Sequence, residues 1–328
     1  MDMEYTVKAL AEKSIAHKGI SEAEAKSLYT MGQEHPFLIF AYGSEIREHF
    51  KGKTVSLCSI INAKSGICPE NCRFCAQSAH YHTDAPVYGL LSSQDIVEKA
   101  REAKGWGARY FSIVTSGTSI DTEKEWNEIY DAIKGINSLG IKPCGSLGML
   151  NDEKARQLKE AGLFRYHHNL ETSRSYFDNI CSTHEYDDDV ETNRAAKRAG
   201  LSVCCGGIIG LGETIEHRIE MAMTLKEIGV DSVPINILNP IAGTPFEGNP
   251  PLSPMEILLT VAIYRFILPD KDIKLCGGKE KNLRQLLPLG IVAGCNSLMT
   301  GNYLTTTGRE ALKDIEMISD LGLEVACE

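Results

Sequence analysis

From about residue 95 onward the chain repeats one pattern of polar and apolar positions. A charged segment of helical period ends in a glycine, and a short apolar run rich in β-formers follows. The clearest instances are EKARQLKEAG before LFRYHHNLE, ETNRAAKRAG before LSVCCGGIIG, and EMAMTLKEIG before VDSVPINIL. Gly162, Gly200 and Gly229 stand where a helix closes on a left-handed residue, and each following run has the length of a buried parallel strand. Repeated helix–glycine–strand units predict parallel β/α architecture. Strands are expected at 55–62, 108–115, 141–148, 163–170, 201–208, 231–238, 272–278 and 290–298. That series fits a closed (β/α)8 barrel of the TIM type. The first fifty residues read as an N-terminal helical cap (1–50), with Ser21 and Glu24 as a capping box. Residues 51–328 read as a single-domain barrel, since no linker or low-complexity tract interrupts them.

Composition narrows the class. A chain of 328 residues suits one large domain. Its eleven cysteines are clustered and no secretory signal is read before them, so metal chemistry in a reducing cytoplasm is expected rather than disulfides. A formal charge of −10 argues against nucleic-acid binding. No apolar run has the length of a membrane span.

The stretch SGICPENCRFCAQS, residues 65–78, carries Cys68, Cys72 and Cys75 in the spacing C-x3-C-x2-C. It follows the first strand, so in a barrel it sits on the C-terminal rim, where such folds place their chemistry. Three thiolates can hold three corners of a 4Fe–4S cube and leave one iron open to a ligand that is not protein. A zinc site completed by His80 or His82 is the alternative, although zinc patterns usually pair C-x2-C units. Phe74 could simply fill the loop. GGIIGLGE, residues 206–213, has the order G-x-x-G-x-G rather than the dinucleotide fingerprint and reads as a tight turn. FKGKT lacks the upstream glycine of a phosphate-binding loop. Asn169 and Glu171 in HHNLETS share one face at the end of the fourth strand, with surface solvation as the plain alternative for Glu171. His167 and His168 alternate across that strand, and at least one is expected to be structural. Asn236 in SVPINILNP would point inward, unless neighbours satisfy its amide.

A C-x3-C-x2-C loop with an aromatic before its last cysteine, after the first strand of a β/α barrel, resembles the radical S-adenosylmethionine (SAM) superfamily. NAKSGICPENCRFCAQS, HHNLETS, GGIIGLGET and SVPIN with GTP six residues on resemble the biotin synthase family, and these matches span nearly the whole barrel. The resemblance implies a 4Fe–4S cluster on Cys68, Cys72 and Cys75 whose open iron takes the amine and carboxylate of SAM. Reduction would then yield methionine and a 5′-deoxyadenosyl radical. It implies that Phe74, Gly207, Ile208 and Gly210 approach SAM, that Asn169 and Glu171 hold its ribose, and that Asn169 and Asn236 contact dethiobiotin. Sulfur from a second iron–sulfur cluster would enter between the methyl and methylene carbons of that substrate. A low-potential electron donor such as flavodoxin or ferredoxin and a homodimer complete the expectation, with no nucleic acid and no membrane.

Three departures from the family pattern matter. Glu171 stands where Asp is usual. Asp189 stands where many relatives have an arginine that contacts the SAM carboxylate, so another cation is expected to serve. The usual sulfur-donating 2Fe–2S cluster has three cysteines and an arginine; Cys144 and Cys204 match two of them, but Ser112 and Lys274 occupy the other places. Cys276 shares the strand face of Lys274, and Cys58 lies in the first strand in phase with Asn62. Cys58, Cys144, Cys204 and Cys276 thus fall on the first, third, fifth and seventh strands, and alternate strands supply one interior layer of such a barrel. A four-iron auxiliary cluster is therefore expected, for about eight irons in all. The alternative treats these cysteines as small buried hydrophobes, as Cys181, Cys205, Cys295 and Cys327 are taken to be, with Cys205 facing away from Cys204. Two rival functions stand beside this reading. One is another radical SAM barrel enzyme, of hydrogenase-maturation or methylornithine-forming type; the other is a zinc-stabilised binding protein without catalysis.

Overall fold

The computed structural model describes residues 3–301, 303–304 and 308–326. Its centre is a closed parallel barrel. The staves are β1 (Thr54–Lys64), β2 (Tyr110–Thr115), β3 (Lys142–Ser146), β4 (Arg165–His167), β5 (Ser202–Cys204), β6 (Gly207–Ile209), β7 (Ser232–Ile237), β8 (Asp272–Leu275) and β9 (Ser297–Met299). The ring closes where β9 pairs with β1, Leu57 opposite Leu298. Since β5 and β6 both pair with β7 and act as one stave, the barrel has the eight positions expected. A short β10 (Glu324–Val325) pairs with the start of β1. Gly162, Gly200 and Gly229 adopt φ of 98°, 75° and 70°, the left-handed closure the pattern predicts.

Two strand assignments need correction. The expected strand 201–208 is broken at Cys205 and Gly206. The cause lies on the neighbouring stave, because Pro234 in β7 has no N–H to give the ladder, and pairing resumes only at Gly207 opposite Ile235. The expected strand 290–298 begins inside a helix, Leu287–Val292, and only Ser297–Met299 is strand. Leu287, Gly290 and Ile291 are buried at helical spacing there. A short apolar run does not by itself distinguish the two periods.

The first fifty residues form three helices, Met3–His17, Glu22–Glu34 and Pro36–Lys51. Ser21 and Glu24 make the reciprocal capping box that starts the second. These helices pack on the barrel helices Ile215–Ile228 and Pro254–Ile267. Pro254–Ile267 is consequently buried from Ile257 to Ile267, which explains why its sequence is apolar on every face. Among the described residues no helix is long and apolar enough to cross a membrane.

Candidate active site

A cavity of about 330 Å³ runs down the barrel axis. Cys75, Phe74 and Gln77 of the rim loop line one part of it, and Cys58, Cys144 and Cys204 on their strands line another together with Cys276, which lies just past the end of β8 and not within the expected strand 272–278.

The rim loop is held in shape mainly by its own backbone. Cys68 N donates to Gln77 O at 3.0 Å, Ala79 N to Cys68 O at 2.8 Å, and Cys75 N to Cys72 O at 2.9 Å. Ile67, a β-branched residue, is held at φ 51° just before the first cysteine, a strained conformation of the kind that clusters at functional sites. Cys75 lies close enough to both Cys68 and Cys72 for their charges to interact. Burial pushes the Cys75 thiol up to about 11, with Cys68 adding to the effect. Unpaired thiolates are disfavoured in this place, and bound metal reverses that preference. Of the two histidines in the zinc alternative, His80 has Nε2 engaged by Pro69 O at 2.9 Å, which leaves only its Nδ1 for a metal.

Asn169 and Glu171 both line the cavity, and Asn169 Nδ2 donates to the two Glu171 carboxyl oxygens at 3.4 and 3.3 Å. They lie on the loop beyond β4, which ends at His167, so it is the loop and not a shared face of the expected strand 163–170 that brings them together. Glu171 has φ 60°, and its carbonyl accepts from Ile208 N at 2.8 Å. Gly207 is required by this close approach, since a Cβ there would stand 2.4 Å from Glu171 O. Burial pushes the Glu171 carboxyl up to about 7, with the nearby Asp189 adding to it and His167 opposing it. Ile208 lines the cavity too. Gly210 belongs to a tight turn: Glu213 accepts from Gly210 N at 2.8 Å and Leu211 N at 2.6 Å, and is itself bound by Arg218 Nε at 2.6 Å. Asn236 reaches the cavity with each amide atom already engaged once, Nδ2 donating to Gly207 O at 3.3 Å and Oδ1 accepting from Gly277 N at 3.0 Å.

The two histidines diverge as alternation requires. His167 lines the cavity with Nδ1 3.1 Å from Cys204 O, whereas His168 Nε2 meets Asp189 Oδ1 at 2.7 Å. Asp189 also faces His184 Nε2 at 3.4 Å. Asp189, where the resemblance implies a cation, is thus a buried carboxylate held between two imidazoles.

Lower in the barrel, Cys58, Cys144, Cys204 and Cys276 are each almost wholly buried. Their thiols interact in a circuit: Cys144 with Cys58 and Cys204, Cys276 with Cys204 and Cys58. Lys274 Nζ lies 4.0 Å from Cys204 Sγ. Burial alone would raise Cys204, but Lys274 and His167 bring its thiol down to about 6. Cys144 is pushed up to about 12 by burial and by Cys58. Cys205, fully buried, lies in the apolar core and not among the cavity-lining residues. Ser112 Oγ and Arg165 Nη1 have no hydrogen-bond partner among the described residues, which is rare for buried polar groups, and both residues line this region. Four soft thiols beside two cations suit an anionic iron–sulfur cluster, and the three rim thiols suit a cube with an open iron.

Two further residues belong to this site. Cys181, taken as core packing, lies with Sγ 3.8 Å from Cys72 Sγ and 3.4 Å from His184 Nδ1. His184 Nδ1 in turn meets Glu70 of the cysteine loop at 2.6 Å, so this segment braces the loop from outside. Arg165 was legible by phase, two residues before the inward His167. Cys327 lies outside the described residues.

Comparison with known proteins is consistent with this geometry. Residues 63–237 match the model of the radical SAM superfamily, and residues 234–324 that of the biotin and thiamin synthesis associated domain. The chain is 53% identical to a biotin synthase of Geotalea uraniireducens (strain Rf4), covering 99% of each chain, and 52% identical to one of Geobacter sulfurreducens, covering 97% of each. Crystal structures of methylornithine synthase (21% identity, TM-score 0.83, 97% of each chain) and of a maturase of the FeFe-hydrogenase (17% identity, TM-score 0.83, 100% of this chain and 76% of that one) share the fold.

Proposed function

Because this chain belongs to the biotin synthase family of the radical SAM superfamily, we propose that its axial cavity is where sulfur enters dethiobiotin, with Cys68, Cys72 and Cys75 at one cluster and Cys58, Cys144, Cys204 and Cys276 at the other. The activity is the SAM-dependent insertion of sulfur into dethiobiotin to form biotin. One observation carries the assignment of residues: a single cavity is lined by a rim-loop cysteine and by all four inner cysteines, so a substrate between them lies within reach of both. When bound, the clusters and SAM supply the radical and the sulfur.

The protein's own part is positioning and exclusion of water. Phe74 and Ile208 wall the SAM end, while Gly207 and Gly210, which do not line the cavity, shape the backbone behind it. The Asn169–Glu171 pair offers one donor and one carboxylate to vicinal hydroxyls. Asn236 keeps unused donor and acceptor capacity for a ureido ring. The barrel with its N-terminal cap acts as one unit, receives electrons from a flavodoxin- or ferredoxin-like donor, works in the cytoplasm and pairs as a homodimer. Anaerobic iron and acid-labile sulfide analysis, combined with biotin formed from dethiobiotin, tests the whole reading; a chain that binds zinc in place of iron would overturn it.

Replacing Asn236 with alanine should weaken dethiobiotin binding by about 1–3 kcal/mol, the cost of leaving a buried partner unpaired. Equilibrium titration of the reconstituted protein reads this directly, and unchanged affinity would remove Asn236 from the substrate site.

Glu171 adds a pH dependence. Its carboxyl titrates at about 7, above the ordinary 4.5. The protonated form is therefore favoured by folding, and the corresponding stability is lost as pH rises through about 7. Binding runs the other way, because the carboxylate is the better acceptor for ribose hydroxyls. SAM affinity should rise between about pH 6 and about pH 8, and Glu171→Gln should flatten the profile. A profile unaltered in Glu171→Gln would show that another group titrates.

A further inference from the structure

Arg165 opens β4 on the inside of the barrel, opposite Cys144 of β3 and Ser202 of β5 in register. Its side chain is 5% exposed as a residue and lines the cavity. Most of the guanidinium is fixed. Nε donates to Ser202 Oγ at 3.0 Å, Nη2 lies 3.5 Å from Asp272 Oδ2, and the plane sits 4.5 Å from the Tyr110 ring. Nη1 is the exception, buried and without a partner among the described residues.

The neighbouring carboxylate does not balance this charge alone. Asp272 is shared with Lys51 Nζ at 2.9 Å and Asn296 Nδ2 at 3.0 Å. Lys274 adds a second buried cation beside Cys204. A buried guanidinium with a free N–H edge is costly unless an anion completes it. The thiols of Cys204 and Cys144 lie close enough to the guanidinium for their charges to interact with it, and both line the same cavity. A four-iron cluster on four thiolates carries about two negative charges, which Arg165 and Lys274 together would offset.

We propose that Arg165 is a positioning residue of the auxiliary cluster, its unpartnered Nη1 donating to cluster sulfur between Cys144 and Cys204. This rests on the four-cysteine reading of that site and adds a second-sphere donor to it. A planar fork fixed on Ser202 and Asp272 presents Nη1 in one direction only, so charge and geometry are both specific. Hydrogen bonds to cluster sulfur raise the reduction potential by stabilising the more negative reduced state.

The test compares the reconstituted full chain with its R165M and R165K variants by iron count, Mössbauer spectra and anaerobic redox titration, using the rim cube as internal reference. In R165M the reduced-to-oxidised ratio of the auxiliary cluster at fixed potential should fall at least tenfold, equivalent to 59 mV for one electron. R165K, which keeps the charge and loses the fork, should shift in the same direction by less. If R165M does not retain the second cluster, R165K carries the comparison alone. Auxiliary potentials equal to wild type in the variants that hold the cluster would reduce Arg165 to packing. A wild-type chain with only the irons of the rim cube would instead overturn the four-cysteine reading itself, before any variant is compared.

Discussion

The Cys75→Ala variant, reconstituted anaerobically, is expected to lose reductive cleavage of SAM, with or without dethiobiotin. The loss should exceed the roughly 10–100-fold cost of removing an outer partner of a metal site, since Cys75 is proposed as a direct ligand. Cys75 both lines the cavity and neighbours the other two rim cysteines. With two thiolates left, the cube has no site-differentiated iron held in register with the cavity. The same result is expected for Cys68→Ala. Cys72 needs a further precaution, since Cys181 Sγ lies only 3.8 Å from its sulfur and offers a substitute thiolate. Cys72→Ala is therefore to be read in a Cys181→Ser background. Methionine and 5′-deoxyadenosine released under dithionite are the readout, and retained cleavage in Cys75→Ala would sink the rim assignment.

The Cys58→Ala, Cys276→Ala double variant should stop biotin formation and halve the iron, from about eight to about four per chain. Both side chains are small, so the cavity they leave is small compared with a Leu→Ala truncation and folding should persist. Without a second cluster there is no sulfur to insert, whereas the rim cube remains. Cleavage of SAM uncoupled from biotin formation is the expected signature. Survival of a 2Fe–2S Mössbauer signal in this variant would show that Cys144 and Cys204 hold a smaller cluster without their two opposite neighbours.

Both experiments turn on features of different legibility. Local signals were sufficient wherever a property repeats along the chain or closes within a few residues. Helical period with terminal glycines marked the β/α units, Ser21 and Glu24 marked a helix start three residues apart, and the C-x3-C-x2-C spacing marked the rim loop. The period of two along a strand also separates inward from outward residues, which is why the phase of Cys58, Cys144, Cys204 and Cys276 can be read before folding, and why Cys205 can be set apart from Cys204. The tertiary structure decided what depends on a neighbour that the chain does not reach locally. The break between β5 and β6 comes from a missing N–H on Pro234, a residue of the adjoining stave. Cys181 stands beside Cys72 across 109 residues of sequence, because the loop after β4 folds over the rim. The unpartnered edge of Arg165 exists only once Ser202, Asp272 and Tyr110 have taken the rest of its guanidinium. Periodicity specifies which side of an element a residue faces; what stands opposite is specified by packing, and the polar and metal chemistry of this barrel is a matter of what stands opposite.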